Sequence, residues 1–282
     1  MSRLDAIGID VGSATVKLVG TDHRGQLTWQ MLEHTHPRIE DQVERLLTQT
    51  RAENECPADI PIIATGYGRK LVNQSTRVVT EITCHARGIY QELGHGGTLV
   101  DIGGQDSKVI RISQDGKVID FAMNDKCAAG TGRFLENTAQ RLAVPLEKMG
   151  SVALETAEEV AISSTCTVFA ESEIISLIAH GVPVPEILRG LHRSLIQRVV
   201  AMVHTVGFET PLMLSGGVVQ NPLIATRFAE DLQTQAAARF IVPEHGANEP
   251  VAEEGGLVPD PRQTLPHHVM AREKPRPVDL LP

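Results

Sequence analysis

The sequence is poor in aromatic side chains, which make up 3% of its 282 residues, and Trp29 is its single tryptophan. Stacking platforms for unpaired bases need such rings. A basic excess is missing too: 26 Lys and Arg face 35 Asp and Glu, leaving a net charge of −9 at pH 7. Both shortages argue against a nucleic-acid partner. No run of 18 apolar residues occurs, so no transmembrane helix is expected. The opening stretch "MSRLDAIGID" has no apolar signal-peptide core. A cytoplasmic protein, with neither nucleic acid nor membrane as partner, is the expectation. Cysteines number four, Cys56, Cys84, Cys127 and Cys166, and none form a C-x-x-C pair. That spacing argues against a zinc ribbon within one chain, and in a reducing compartment structural disulfides are not expected. Two phosphate-binding signatures are lacking as well: there is no G-x-x-x-x-G-K-[ST], and no G-x-G-x-x-G opens a first helix.

What is present is one device used twice. "IGIDVGSATVKLV" and "LVDIGGQDSKVIRI" each run an apolar strand into an aspartate, then glycine, a polar turn and a second strand. The repetition suggests two related halves, each opening with a β-hairpin. A third strand-to-glycine turn lies in "PLMLSGGVVQNP". Helical spacing predicts helices over about 39–51, 132–142, 168–179, 185–206 and from 222 to about 238. The expected organisation is a first domain over 1–95, a second over 96–258 and a proline-rich mobile tail over 259–282.

The glycines of these turns would let backbone amides approach phosphate closely. Asp10 and Asp101 stand beside the first two turns and could hold Mg²⁺ through water. Ser13, Thr15 and Lys17 can add donors to phosphate. "NDKCAAGTGRFLE" puts Cys127 in front of a helix N-terminus, where a thiolate is favoured. Taken alone, it could be a reactive cysteine, a metal ligand or an anion loop. Cys166 also precedes a helix. Glu171 and Glu173 read as a solvated helix turn, and Cys84 as a buried thiol.

Two aspartate-glycine hairpins followed by a Gly-Gly turn resemble the actin, hexokinase and sugar-kinase superfamily. That resemblance implies an α/β fold of two ribonuclease-H-like domains with an ATP cleft between them. "GIDVGSATVK", "ATGYGRKLV", "TEITCHARG", "DIGGQDSKVI", "NDKCAAGTGRFLE" and "TCTVFAESEIISL" narrow the resemblance, whose match spans roughly residues 5–222. They are similar to the 2-hydroxyacyl-CoA dehydratase activators and the ATPase subunits of benzoyl-CoA reductase. The resemblance implies an ATPase that drives low-potential electron transfer to a partner dehydratase or reductase, itself reduced by a donor such as ferredoxin or flavodoxin. It implies a homodimer with one [4Fe-4S] cluster between subunits, together with ATP and Mg²⁺ as cofactors. The nucleotide would be held by Gly12, Ser13, Ala14, Thr15, Lys17, Gly103, Gly104, Gln105, Gly216, Gly217 and Asn221. Asp10 and Asp101 would sit by the metal, and Gln105 would position water.

Two cysteines per chain make half of a four-thiolate site, and a two-fold dimer completes it. Cys127 and Cys166 are the expected cluster ligands, with Gly130 and Gly132 letting backbone amides approach the sulfurs. A dimeric four-thiolate zinc site would use the same residues. The rival reading is a small-metabolite kinase of the same superfold. The terminal small-residue helix of such activators is broken here, because "EHGANEPVAEEGG" places Asn248, Glu249 and Pro250 inside it.

Overall fold

The computed structural model describes residues 3–163, 167–232 and 239–240. Cys166, the broken segment around 246–256 and the expected tail over 259–282 lie outside the described residues. Two compact units meet in sequence between Gly88 and Ile89.

In the first unit, β1 (Ala6–Val11), β2 (Thr15–Thr21) and β3 (Leu27–His34) form an antiparallel meander, and β4 (Ile62–Thr65) and β5 (Arg77–Val78) continue the sheet in parallel. The strand order is β3-β2-β1-β4-β5. Alternation along β1 sends Ile7, Ile9 and Val11 into the core. Helix α1 (Ile39–Glu53) covers them with Val43, Leu46 and Leu47 at helical spacing. Helix α2 (Glu81–Leu93) follows and contains the division at Gly88 and Ile89; its first turn carries Cys84, which is half-buried.

The second unit repeats the arrangement. β6 (Gly97–Ile102), β7 (Ser107–Ile112) and β8 (Val118–Asn124) form the meander, and β9 (Leu212–Ser215) and β10 (Arg239–Phe240) extend it in parallel. Its order is β10-β9-β6-β7-β8, the same topology with each strand replaced by its counterpart. The sequence repeat is thus a repeat of whole sheets, and each predicted hairpin carries a third strand. β6 is buried at every position, as a central strand covered on both faces requires.

Helices α3 (Gly132–Leu142), α4 (Met149–Ala153), α5 (Thr167–Ala179), α6 (Val184–Val206) and α7 (Pro222–Asp231) supply the second core. α6 is its axis. Ile187, Leu191, Leu195, Val199 and Val203 recur every fourth residue and are fully buried. Pro185 sits in its first turn and Gly207 ends it. The helix expected to reach residue 238 corresponds to α7, and residues 233–238 lie outside the described residues. Among the described residues, no helix is long and apolar enough to cross a membrane.

Candidate functional site

Each aspartate hairpin is built on the same cross-strand pair. In the first, Asp10 at the end of β1 lies directly opposite Lys17 on β2, and Lys17 Nζ stands 3.4 Å from Asp10 Oδ2. In the second, Asp101 at the end of β6 lies directly opposite Lys108 on β7. Lys108 Nζ is 3.7 Å from Asp101 Oδ2 and 2.8 Å from Asp106 Oδ1. The turns close alike: the Gly12 amide donates to the Thr15 carbonyl at 3.0 Å, and the Gly103 amide to the Asp106 carbonyl at 2.9 Å. Ser13, Ala14, Gly104 and Gln105 are exposed at the turn tips, while Thr15 is buried beneath them. The Thr35 hydroxyl donates to the Gly12 carbonyl and its amide to the Ala14 carbonyl, fixing the first turn from β3's side. Gly66, just past β4, lies so close that a Cβ there would stand 2.3 Å from Asp10 Oδ1.

The pairs differ in burial. Asp10 and Lys17 are about two-fifths exposed, whereas Asp101 and Lys108 are nearly enclosed. A buried charged pair needs complete hydrogen bonding, and Ser215 contributes to it. It ends β9 directly beside Asp101, and its hydroxyl donates to Asp101 Oδ1 at 2.6 Å. The second and third glycine turns are therefore joined at Asp101.

Gly216 and Gly217 come directly after Ser215 and are half-buried. Asn221 ends the turn, and each end of its side-chain amide makes one hydrogen bond there. Its Nδ2 donates to His192 Nε2 at 2.7 Å, and its Oδ1 accepts the Leu223 amide at 3.1 Å, capping α7. Asn221 thereby helps to shape the turn. His192 is wholly buried on α6, with Nδ1 2.7 Å from the Leu188 carbonyl. That bond takes the ring's one proton, so Nε2 accepts from Asn221. Burial pushes the His192 pKa down to about 4.

Cys127 is half-buried in the loop between β8 and α3. Asn124 braces that loop: its Nδ2 donates to the carbonyls of Cys127 at 2.9 Å and Ala129 at 3.0 Å, and its Oδ1 accepts the Cys127 amide at 3.3 Å. The amides of Gly132 and Arg133 are not available to the sulfurs. The first amides of α3 point elsewhere, because Gly132 donates to the Gly103 carbonyl at 2.9 Å and Arg133 to the Gly104 carbonyl at 2.7 Å.

The segment before Cys166 is also held. Glu159 pairs with Arg193 and Arg227. Glu173 Oε1 accepts both the amide and the hydroxyl of Ser163 at 2.9 Å, and Glu171 pairs with Arg141 of α3. Glu171 and Glu173, expected as a solvated helix turn, are part-exposed and also tie neighbouring segments together. Among the described residues, no group of three or more His, Cys, Asp or Glu is placed to hold a metal ion. Sequence reasoning missed Lys108, Asn124 and His192, and placed Ser215 in the third turn without its bond to Asp101. Lys108 could have been found by laying the second repeat on the first, which puts it in register with Lys17.

Residues 7–247 match the BadF/BadG/BcrA/BcrD ATPase family. The chain belongs to that family. It is 40% identical over 183 residues to the 2-hydroxyisocaproyl-CoA dehydratase activator of Clostridioides difficile, spanning 65% of this chain and 67% of the relative. It is 35% identical over 260 residues to the (R)-2-hydroxyglutaryl-CoA dehydratase activating ATPase of Acidaminococcus fermentans, spanning 86% of this chain and 93% of that one. The structure of the Clostridium difficile activator with bound ADPNP superposes with a TM-score of 0.70 at 34% identity, covering 84% of this chain and 88% of that chain. The fold is α/β, of the actin, hexokinase and sugar-kinase type.

Proposed function

We propose that this protein is an ATP-dependent reductive activator. It would hydrolyse Mg-ATP and pass a low-potential electron from a [4Fe-4S] cluster shared by two subunits to a partner acyl-CoA dehydratase or reductase. The observation that carries the reading is the duplicated Asp–Lys hairpin, found in a chain of this ATPase family. A paired carboxylate beside an exposed glycine turn suits a hydrated Mg²⁺ with phosphate. Asp10 and Asp101 would hold the metal through water, and Lys17 would steady the Asp10 carboxylate. Gly12, Ser13, Ala14, Thr15, Gly103, Gly104, Gly216 and Gly217 would shape the phosphate and nucleoside contacts. Gln105, exposed at the tip of its turn, would orient the attacking water. Asn221 would act on the nucleotide through the third turn's shape.

Donor chemistry supports the cluster. Cys127 is a partly exposed thiol on a braced loop, and a second thiolate from Cys166 would make half of a four-thiolate set. When bound, the cluster would supply a low-potential electron. The Cys127 loop would hold one ligand in place, and an isologous partner would supply the other half. A donor such as ferredoxin or flavodoxin would restore the electron.

The test is anaerobic purification with iron counting. About two irons per chain are expected, in a brown dimer that hydrolyses ATP. Cys127→Ser and Cys166→Ser should each abolish iron binding. Four irons per chain, or full iron in either variant, would sink the shared-cluster reading. A colourless protein that phosphorylates a small metabolite would establish the kinase alternative.

A further inference from the structure

Three parts of the second unit meet at one residue. Gly132 opens α3, five residues after Cys127, and its amide and that of Arg133 donate to the carbonyls of Gly103 and Gly104. A Cβ on Gly132 would stand 3.0 Å from Val218 Cγ2, 3.1 Å from Gly104 Cα and 3.3 Å from the Gly103 oxygen. Gly103 and Gly104 belong to the second glycine turn, and Val218 to the 3-10 turn Gly217–Gln220 at the end of the third. The Gly103–Gly104 backbone and the Val218 side chain close in on this glycine, and a Cβ at 132 would require them to give by a few tenths of an ångström. Toward Cys127 the loop is stiff. Asn124 braces it at three points, and the Thr131 amide and hydroxyl both donate to the Ala128 carbonyl, at 3.0 and 2.7 Å. A loop cross-linked this densely moves as one body rather than absorbing a displacement.

We propose that Gly132 is a positioning residue that seats the Cys127 loop directly on the second and third glycine turns, so that a change in those turns moves the thiol. The inference rests on the reading of the turns as nucleotide loops. It adds the route by which their state reaches Cys127: two main-chain hydrogen bonds and one close glycine contact, all within the second unit.

The test uses the full-length chain, reduced and stripped of iron by a chelator, so that neither cluster nor turnover enters the readout. Alkylation of Cys127 by N-ethylmaleimide is followed by peptide mass spectrometry without nucleotide, with Mg-ADP and with Mg-ADPNP, and binding of each nucleotide is measured in parallel. In the wild type the alkylation rate should differ at least about fivefold between nucleotide states, the lower end of ordinary site-to-site coupling. Gly132→Ala should bring that ratio close to one while Mg-ADPNP still binds with near wild-type affinity, a separation that general misfolding would not produce. Asn124→Ala leaves the seat intact and loosens the brace. It should narrow the ratio in the same way, and it carries the test if Gly132→Ala does not fold. A wild-type ratio in Gly132→Ala, or in Asn124→Ala where the first variant fails to fold, overturns the proposal. So does a wild type that binds both nucleotides with no change at Cys127. A wild type that binds no nucleotide removes the underlying reading along with the proposal, and the parallel binding measurement tells that case apart.

Discussion

Burial of His192 sets its chemistry and the pH range in which the second unit is stable. The ring is enclosed on α6, donates to the Leu188 carbonyl and accepts from Asn221. Desolvation lowers its pKa from 6.5 to about 4, partly opposed by the Leu188 bond. The unfolded chain therefore binds a proton through a range where the native protein does not. The contribution is fully present above about pH 6.5 and is lost as pH falls toward 4. Between pH 7 and pH 5, denaturant titrations should show about 2 kcal/mol of stability lost through this residue. His192→Gln should show a correspondingly shallower slope, and an unchanged slope would mean that another group governs the range. Lys108 is the other residue whose burial predicts an effect. It holds Asp101 and Asp106 from within. Lys108→Met should lower kcat for ATP by up to about a hundredfold, the scale of a catalytic group misplaced by an ångström. Lys108→Arg should restore part of the loss, and the KM for Mg²⁺ should rise more than that for ATP. An equal rise in both would assign Lys108 to general nucleotide binding.

At the scale of elements, the segment over 155–163 has no regular structure and is held by side chains. Glu159 bridges Arg193 on α6 and Arg227 on α7, and Ser163 hangs from Glu173 on α5. Arg227 is largely buried, so removing Glu159 leaves its guanidinium poorly solvated with only the ion pair to Glu230. Glu159→Ala should cost about 1–3 kcal/mol. It should also speed hydrogen exchange across 155–163 while leaving β6 and β7 protected, and wild-type exchange in that segment would refute the tie. The same contrast separates what the sequence showed from what it hid. α1, α3, α5 and α6 were legible because each carries an apolar stripe at helical spacing, and β1, β2, β6 and β7 because buried strands carry apolar runs. β3 and β8 were not. They flank their sheets, and "LTWQMLEH" and "VIDFAMN" mix polar and apolar residues on half-exposed positions. The seat of α3 on Gly103 and Gly104 was invisible for a different reason. It joins main-chain groups far apart in sequence and leaves no side-chain signature beyond a glycine.

At the scale of the whole molecule, the duplication gives each unit its own sheet and its own core, one centred on β1 and α1 and the other on α6. Units with separate cores can unfold in separate steps. Each also carries one Asp–Lys hairpin, and the proposed reading assigns both hairpins to Mg-nucleotide binding. Binding then stabilises both units, by about 2.7 kcal/mol in total when ligand stands at a hundred times its dissociation constant. Calorimetry should resolve the prediction. Mg-ADP should raise the unfolding temperature of both transitions or merge them into one. Asp10→Asn, in the first unit, should weaken the protection of the second unit as well, and Asp101→Asn should do the reverse. Loss confined to the mutated unit would show that each hairpin acts alone. Protection of the second unit alone, unchanged by Asp10→Asn, would leave the first hairpin as structure inherited from the repeat, with the nucleotide held by Asp101, Lys108 and the third turn.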